Sequence, residues 1–425
     1  MIDAMHVVVN AATRVAACVR RHGPSRARAL VASSVVLCAA TVAAPHAGFA
    51  QTVSTGSLNG VTVTVAPMFQ SWKFAKDVPL DSLSVSGATQ ISAPFSVQFP
   101  IRSRWNASIT GAIASSKLDA RDSAGTVSRT FTGLSDLRVR ATGALIGNAL
   151  QLTLGVNIPT GAVNLSAEQN DVMRVTAAPA LDAQVPIAGT GLGGTIGLVY
   201  SRFIGEWAWA LGASVEQRGT YSPLDAQIAG VQSRTELNPG SAAHFSVGTD
   251  GLVGQNRLSV GVVTDIYGAD ELHVTTAGNT PTIQQYHLGP TISAGAALDV
   301  KNPVLRDLTL SANERYRQGF KNALGTNVDG SSGNYFDAGA AGYLGAPNKI
   351  SVLLGLNVRQ QSGLPVDKGF IGAGLTAVGG TVGLSIPSGT LEWRPTIQLL
   401  AGSLKTALVT TGMTSISVGL TVNAR

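Results

Sequence analysis

The chain has 425 residues, 49 of them glycine, with 13% charged residues, two cysteines and a formal net charge of +6. Its mean hydropathy is slightly positive, yet beyond the first fifty residues it has no apolar run of the ~20 residues that a spanning helix needs. The basic excess sits mostly in those fifty residues, so it does not signal a nucleic-acid-binding surface.

Arg14, Arg20, Arg21, Arg26 and Arg28 precede an apolar run from Ala29 to Ala44, and Gly48 and Ala50 stand just before Gln51. Basic, apolar and small-residue regions in that order predict a secretory leader over 1–50, with 51–425 as the working domain. Without the leader, Lys plus Arg falls from 30 to 25 and Asp plus Glu from 24 to 23, leaving a net charge of +2. Both cysteines, Cys18 and Cys38, lie in the leader. The remainder then has no thiol for a disulfide or a Cys-ligated metal, and no cofactor is expected.

Period-two alternation, which puts successive side chains on opposite faces of a strand, runs through the rest of the chain. Val61, Val63, Val65 and Phe69 alternate with Thr62, Thr64 and Gln70. Ile91, Phe95, Val97 and Phe99 alternate with Ser92, Ser96 and Gln98, and Trp105, Ile109 and Ile113 follow. Between Phe131 and Gly161 the pattern forms a hairpin. Leu137, Val139 and Ala141 oppose Arg138, Arg140 and Thr142, and Leu152, Leu154, Val156 and Ile158 return beyond a turn at Gly147-Asn148. Further runs begin near Ile196, Trp207, Ala243, Leu258, Leu288, Leu308, Phe336, Ile350, Phe370, Leu391 and Ile416. In the run from Phe370 to Ile386 the apolar parity changes across Gly379-Gly380, which predicts a β-bulge.

An exported, mildly apolar chain made of such strands can hide its backbone in lipid by closing into a barrel. The predicted fold class is therefore all-β, a transmembrane antiparallel up-and-down β-barrel with no separate plug domain. The strand count is about 16 if Val175–Ile187 is loop and 17 if it is a strand. Short turns near 147, 205, 255, 301, 346 and 388 alternate with longer gaps at 119–130, 162–191, 222–238, 269–281, 319–333 and 361–369, and only an even count keeps them in phase. Trp105, Trp207 and Trp393 follow short connections on the apolar parity, where an interfacial girdle belongs.

The opposite face carries the candidate pore-lining residues: Arg138, Arg140, Arg202, Arg218, Arg257, Arg315, Arg317, Arg359 and Arg394, with Asp136, Asp250 and Asp265. Glu216, Asp299, Asp337 and Glu392 join them, whereas Glu314 falls on the apolar parity. Mixed charge lining a lumen filters solutes by size and sign; the bland alternative is a set of structural ion pairs. His244 and His287 fall on the lumen parity, but no nucleophile elbow or metal-ligand spacing accompanies them. The Gly-rich segment 189–194 precedes no helix that could make it a phosphate loop. The interval 162–191 is the candidate constriction.

Thr132-Gly133-Leu134-Ser135-Asp136-Leu137, with Ile158-Pro159-Thr160-Gly161 closing the next strand, resembles the signature hairpin of a broad family of bacterial outer-membrane transporter barrels. These are the phenol-degradation-pathway and fatty-acid-type channels, which commonly have Gly where Ser135 stands. Gly419, Val422 and Ala424 resemble the C-terminal signal read by the barrel-insertion machinery. The resemblance implies a bacterial outer-membrane channel for passive diffusion of small molecules, hydrophobic or aromatic ones among them. Its expected partners are outer-membrane lipid, the insertion machinery and a small-molecule solute, with no nucleic acid. The rivals are a non-conducting structural or adhesive surface barrel, an outer-membrane enzyme and a soluble exported solenoid.

Overall fold

A computed structural model of the chain describes residues 54–424, except 59–60, 103, 147–148, 184, 186–187, 229–230, 277–281, 323, 347–348, 363–371 and 390. The expected leader, residues 1–50, lies outside the described residues.

The first half of the chain opens with β1 (Ser54–Leu58), β2 (Val61–Val65), β3 (Met68–Leu80), β4 (Leu83–Arg102) and β5 (Trp105–Asp122). It continues with β6 (Gly125–Leu134), β7 (Leu137–Ile146), β8 (Leu150–Ile158) and one helix, α1 (Ala167–Thr176). Next come β9 (Gly193–Ile204), β10 (Trp207–Gln217), β11 (Tyr221–Ile228), β12 (Val231–Asn238), β13 (Ala242–Val253) and β14 (Asn256–Tyr267). Beyond them lie β15 (Ala269–Thr276), β16 (Thr282–His287), β17 (Thr291–Val300), β18 (Arg306–Arg317) and β19 (Gly333–Leu344). The last four are β20 (Ser351–Gln361), β21 (Gly374–Ser388), β22 (Leu391–Lys405) and β23 (Thr410–Ala424).

Two pairs of these segments are single strands with an interruption. β2 and β3 both pair with β4 across a break at Ala66-Pro67, where Pro has no N–H to give the ladder. β6 and β7 both pair with β5 across a break at Ser135-Asp136. Counted that way, and with the short β1 set aside as an extra segment that pairs with β2 and meets β23 in parallel only at Ser54↔Asn423, neighbouring strands pair antiparallel around a closed barrel of 16, sealed where β23 meets β3 from Met413↔Phe74 to Gly419↔Met68. Val175 lies in α1 and buries its side chain, and the described residues of 175–187 include no strand, so the even count stands.

The barrel is inside out relative to a soluble protein. Ile91, Ile113, Leu154, Val156, Leu211, Val215, Phe245, Leu356, Val378 and Ile397 are all exposed on the outer surface, Leu356 as much as 74%. So broad an apolar exterior is stable only against lipid. Trp105, Trp207 and Trp393 stand at the starts of β5, β10 and β22. Trp105 lies over Gly143 and Trp207 over Gly251, at places where a Cβ would collide with the indole.

Three expectations are corrected. No bulge interrupts β21: Gly379↔Asn357 and Gly380↔Leu356 continue an unbroken register. The parity changes because Leu375 and Ala377 are buried inward, whereas Val378 and Val382 are exposed outward. The gap at 119–130 is no long loop, since β5 and β6 extend to a tight turn at Ser123-Ala124. The gaps at 222–238 and 269–281 contain hairpins that join as a separate four-stranded sheet, β11-β12-β15-β16, above the mouth of the barrel.

Candidate functional site in the barrel lumen

The segment from Ala162 to Ala188 folds into the lumen. Its helix starts with a local device: the Ser166 hydroxyl accepts from the Gln169 N–H at 3.2 Å, while Gln169 Oε1 accepts from the Ser166 N–H at 3.0 Å. The helix then turns Val172, Val175 and Thr176 inward. With Leu165, Ala178, Ala180, Leu181 and Val185 these form one apolar core with the barrel wall. The wall supplies Trp72, Phe74, Val78 and Leu80 from β3, Leu118 from β5, Phe131 from β6, and Leu375, Leu404 and Met413 from β21, β22 and β23.

Polar anchors fix the insert at its depth. Trp72 donates its indole N–H to the Leu181 carbonyl at 2.9 Å. Gln90, fully buried, holds both backbone groups of Val185, donating to its carbonyl at 3.0 Å and accepting from its N–H at 3.1 Å. Arg129 pairs with Asp171, Arg174 with Asp81 at 2.5 Å, and Arg359 with Asp182 at 2.7 Å. A buried amide or indole left without its partner would cost ~1–3 kcal/mol, so these contacts select one seat for the insert.

Asp136 closes the insert at its neck. Its carboxylate accepts from the backbone N–H of Gly161 at 3.0 Å and of Thr190 at 2.6 Å, and from the Asn157 amide at 2.9 Å. The two ends of the insert meet there, with the Gly189 N–H donating to the Ala162 carbonyl at 2.8 Å. Gly161 and Gly189 are in backbone contact: a Cβ on either would come within 3 Å of the other. Thr160 completes the clasp, donating to the Ser135 carbonyl at 2.8 Å and accepting from the Leu137 N–H at 3.1 Å. The conspicuous residues of the 132–137 and 158–161 segments thus fasten the root of the insert.

The lumen wall opposite the core is polar, and there a cavity of about 480 Å³ remains open. Arg138 and Arg140 of β7, Arg218 just beyond β10, and Arg315 and Arg317 of β18 line it, together with Glu216 and Asp265. Arg218 is engaged by Asp270 at 2.9 Å and by the Gly240 carbonyl at 2.8 Å, and Arg315 lies 5.5 Å from the centre of the Tyr335 ring. His244 lies between two carboxylates, its Nδ1 2.8 Å from Asp265 and its Nε2 3.4 Å from Glu216. Both ring nitrogens face acids, so the imidazole has no free nitrogen to activate a hydroxyl nucleophile. Above the mouth, burial and the nearby Asp270 carboxylate push the Tyr286 hydroxyl up to about 12, so it stays neutral.

The predicted residues therefore separate into groups. Arg138, Arg140, Arg218, Arg315, Arg317 and Asp265 meet at the cavity. Arg359, 4% exposed between Asp182 and Asp337, is beneath the insert, and Asp136 is in the clasp. Near the turn end of the barrel, Arg257 makes a two-pronged contact with Asp250 (2.7 and 2.6 Å), and Arg394 donates to Glu392 at 3.0 Å. Glu314 stays on the outward parity with Ala312 and Tyr316.

Two placements are corrections. Arg202 is exposed on the outer surface, in line with Ile196, Leu198 and Tyr200 and two residues before the turn end of β9. There its long stem can lie along apolar surface while the guanidinium reaches the interface. His287 is exposed at the end of β16 in the upper sheet, with its backbone bridged to Lys321. The insert's helix and its anchors Trp72, Gln90 and Asp182 go beyond the alternation pattern. The Ser166-x-x-Gln169 spacing was the one local signal for the helix.

No family model matches this chain, and no curated protein matches it. Among solved structures it is similar to OprB of Pseudomonas putida, at 9% identity, with 85% of this chain and 92% of that one covered and a TM-score of 0.43. An outer membrane channel of Pseudomonas putida F1 is matched at 9% identity over 88% of this chain and 97% of that one, with a TM-score of 0.33. A mutant of TodX, a monoaromatic hydrocarbon channel, is matched at 10% identity over 88% and 96%, with a TM-score of 0.41.

Proposed function

We propose that this chain, exported by its leader, is a channel of the bacterial outer membrane through which small molecules diffuse passively. The observation that carries this reading is the division of the lumen: the insert fills one side, and a charged cavity stays open along the other. An apolar exterior with a polar interior is the arrangement of a barrel that conducts solutes rather than one that only anchors. The mixed charges around the opening set the size and sign of what passes. The paired acids around His244 support a non-catalytic role for that cluster.

The test is single-channel recording of the protein purified from outer membranes and reconstituted in a planar bilayer. Discrete conductance steps are expected, modest in size because the insert narrows the passage. A folded, heat-modifiable barrel with no conductance would favour the second reading, a non-conducting surface scaffold. The insert's continuous apolar seat against the wall is the observation on that side.

A further inference from the structure

The outward faces of β3, β23 and β22, three neighbouring strands, change character together in the half of the barrel away from the short turns. Phe69, Ile416, Val418 and Leu399 belong to the lipid-facing band. Beyond them on the same strands come hydroxyls at Ser71, Thr414 and Ser403, and then the exposed Lys73, Lys76 and Lys405. Trp72, Phe74, Leu404 and Met413, on the alternate positions, are buried inward. Lys76 stands where the β3 ladder shifts register; its backbone N–H donates to Thr411 Oγ1 at 2.7 Å, and Lys405 pairs with the adjoining Thr410. Lys76 and Lys405 therefore flank β23 from its two sides, two strand spacings or ~10 Å apart, with Lys73 a similar distance along β3.

Between these lysines β23 presents Gly412, and a Cβ added there would meet only the Ala75 Cβ, at 3.4 Å. The missing side chain leaves a shallow groove that runs up from the apolar band. The nearby acids are engaged with other cations: Asp119 pairs with Lys117 at 2.8 Å, Asp77 lies 3.9 Å from Arg121, and Asp81 pairs with Arg174. Lys73, Lys76 and Lys405 make no ion pair with any described residue. Across the barrel, the exposed outward positions near the same ends of β10, β13, β17 and β20 are Val215, Phe245, Ile292 and Val358, so the charge is confined to one side. Ammonium groups bind phosphate as point charges, and lysines just beyond a lipid-facing band attract anionic headgroups. A molecule whose acyl chains lie on this band brings its headgroup to the groove.

We propose that the β3–β23–β22 face binds the phosphate-bearing headgroup of an outer-leaflet lipid. Lys73, Lys76 and Lys405 hold the phosphate over the Gly412 groove, and the acyl chains lie on Phe69, Ile416, Val418 and Leu399. The inference rests on the outer-membrane location and is independent of whether the lumen conducts.

The experiment is native mass spectrometry of the full protein, in neutral detergent, titrated with bisphosphorylated lipid A. Dephosphorylated lipid A tests the phosphate, and glucose 1-phosphate tests a soluble phosphate without acyl chains. Lipid A should bind about tenfold more tightly than either control. The Lys73→Gln/Lys76→Gln/Lys405→Gln triple variant should lose that preference while keeping its heat-modifiable migration. Gly412→Val, which fills the groove with every charge in place, should weaken lipid A binding too. Arg202→Gln, on the outer surface at the opposite end of the barrel, is the charge control and should bind as the parent does. Equal binding of lipid A and its dephosphorylated form, equal binding of glucose 1-phosphate, or unchanged binding in the triple variant would overturn the proposal. Unchanged binding in Gly412→Val would overturn the groove as the seat. Bilayer recordings report separately on conduction: lipid A binding without conductance would overturn the channel reading alone, and conductance without lipid A binding would overturn this inference alone.

Discussion

On one side of the lumen Trp72, Phe74, Leu118 and Leu375 meet the insert and exclude water; on the other, Arg138, Arg140, Arg315 and Arg317 face open space. Both walls are inward faces of strands in one barrel, built with the same pleat and the same register rules. What differs is whether a second layer of chain covers them. The covered wall is apolar because it is a core, and burial there contributes roughly 25 cal/mol per Å². The open wall is charged because water or solute must be accommodated. An inward-facing residue in a barrel is thus not polar by rule; its chemistry reports what lies opposite.

Four experiments press on that contrast. The largest effect is expected from replacing residues 163–187 by a short glycine linker, which the contact between Ala162 and Gly189 allows without spreading the barrel. Single-channel conductance should rise several-fold; an unchanged value would mean that the insert lies outside the ion path. Arg359→Ala removes the partner of Asp182 at 2.7 Å and of Asp337 at 3.6 Å. Breaking a buried pair by removing one member costs ~3–5 kcal/mol, to be read from urea unfolding in lipid.

Asp136→Asn should act more mildly, by ~1–3 kcal/mol, because the amide keeps one acceptor but loses the charge that holds the N–H groups of Gly161 and Thr190. Faster cleavage of the insert by added protease would be its signature. Arg202→Gln should change stability by no more than ~0.5 kcal/mol and leave conductance unaltered. A clear conductance change would return Arg202 to the lumen.

The strand pattern was legible wherever one face met lipid and the other water. Leu137 to Ile158 shows this, and so do the cavity-facing positions of Arg138 and Arg140. It was less legible from Ser71 to Gln90, because there inward Trp72, Phe74 and Leu80 are as apolar as an outward face, and a two-letter alternation has nothing to alternate. The β21 parity change has the same origin. Arg202 shows the limit of reading a face from polarity: its even number matches outward Ile196, Leu198 and Tyr200, and at a strand end a charge can lie on the outer surface. The role of Asp136 was hidden for another reason: Thr190, which shares its carboxylate, is 54 residues away in sequence. The helix could be read from Ser166 and Gln169, but its seat could not, because the wall it packs against comes from both ends of the chain.

That last feature bears on the order of assembly. The insert leaves the barrel between β8 and β9, yet its seat combines Trp72 from the first barrel strand with Leu404 and Met413 from the last two. Until β23 pairs with β3, half of that seat does not exist, so docking has to follow closure. The contacts between insert and wall then act as a latch on a finished barrel: they slow its opening more than they speed its formation, which is how interactions made after the transition state behave.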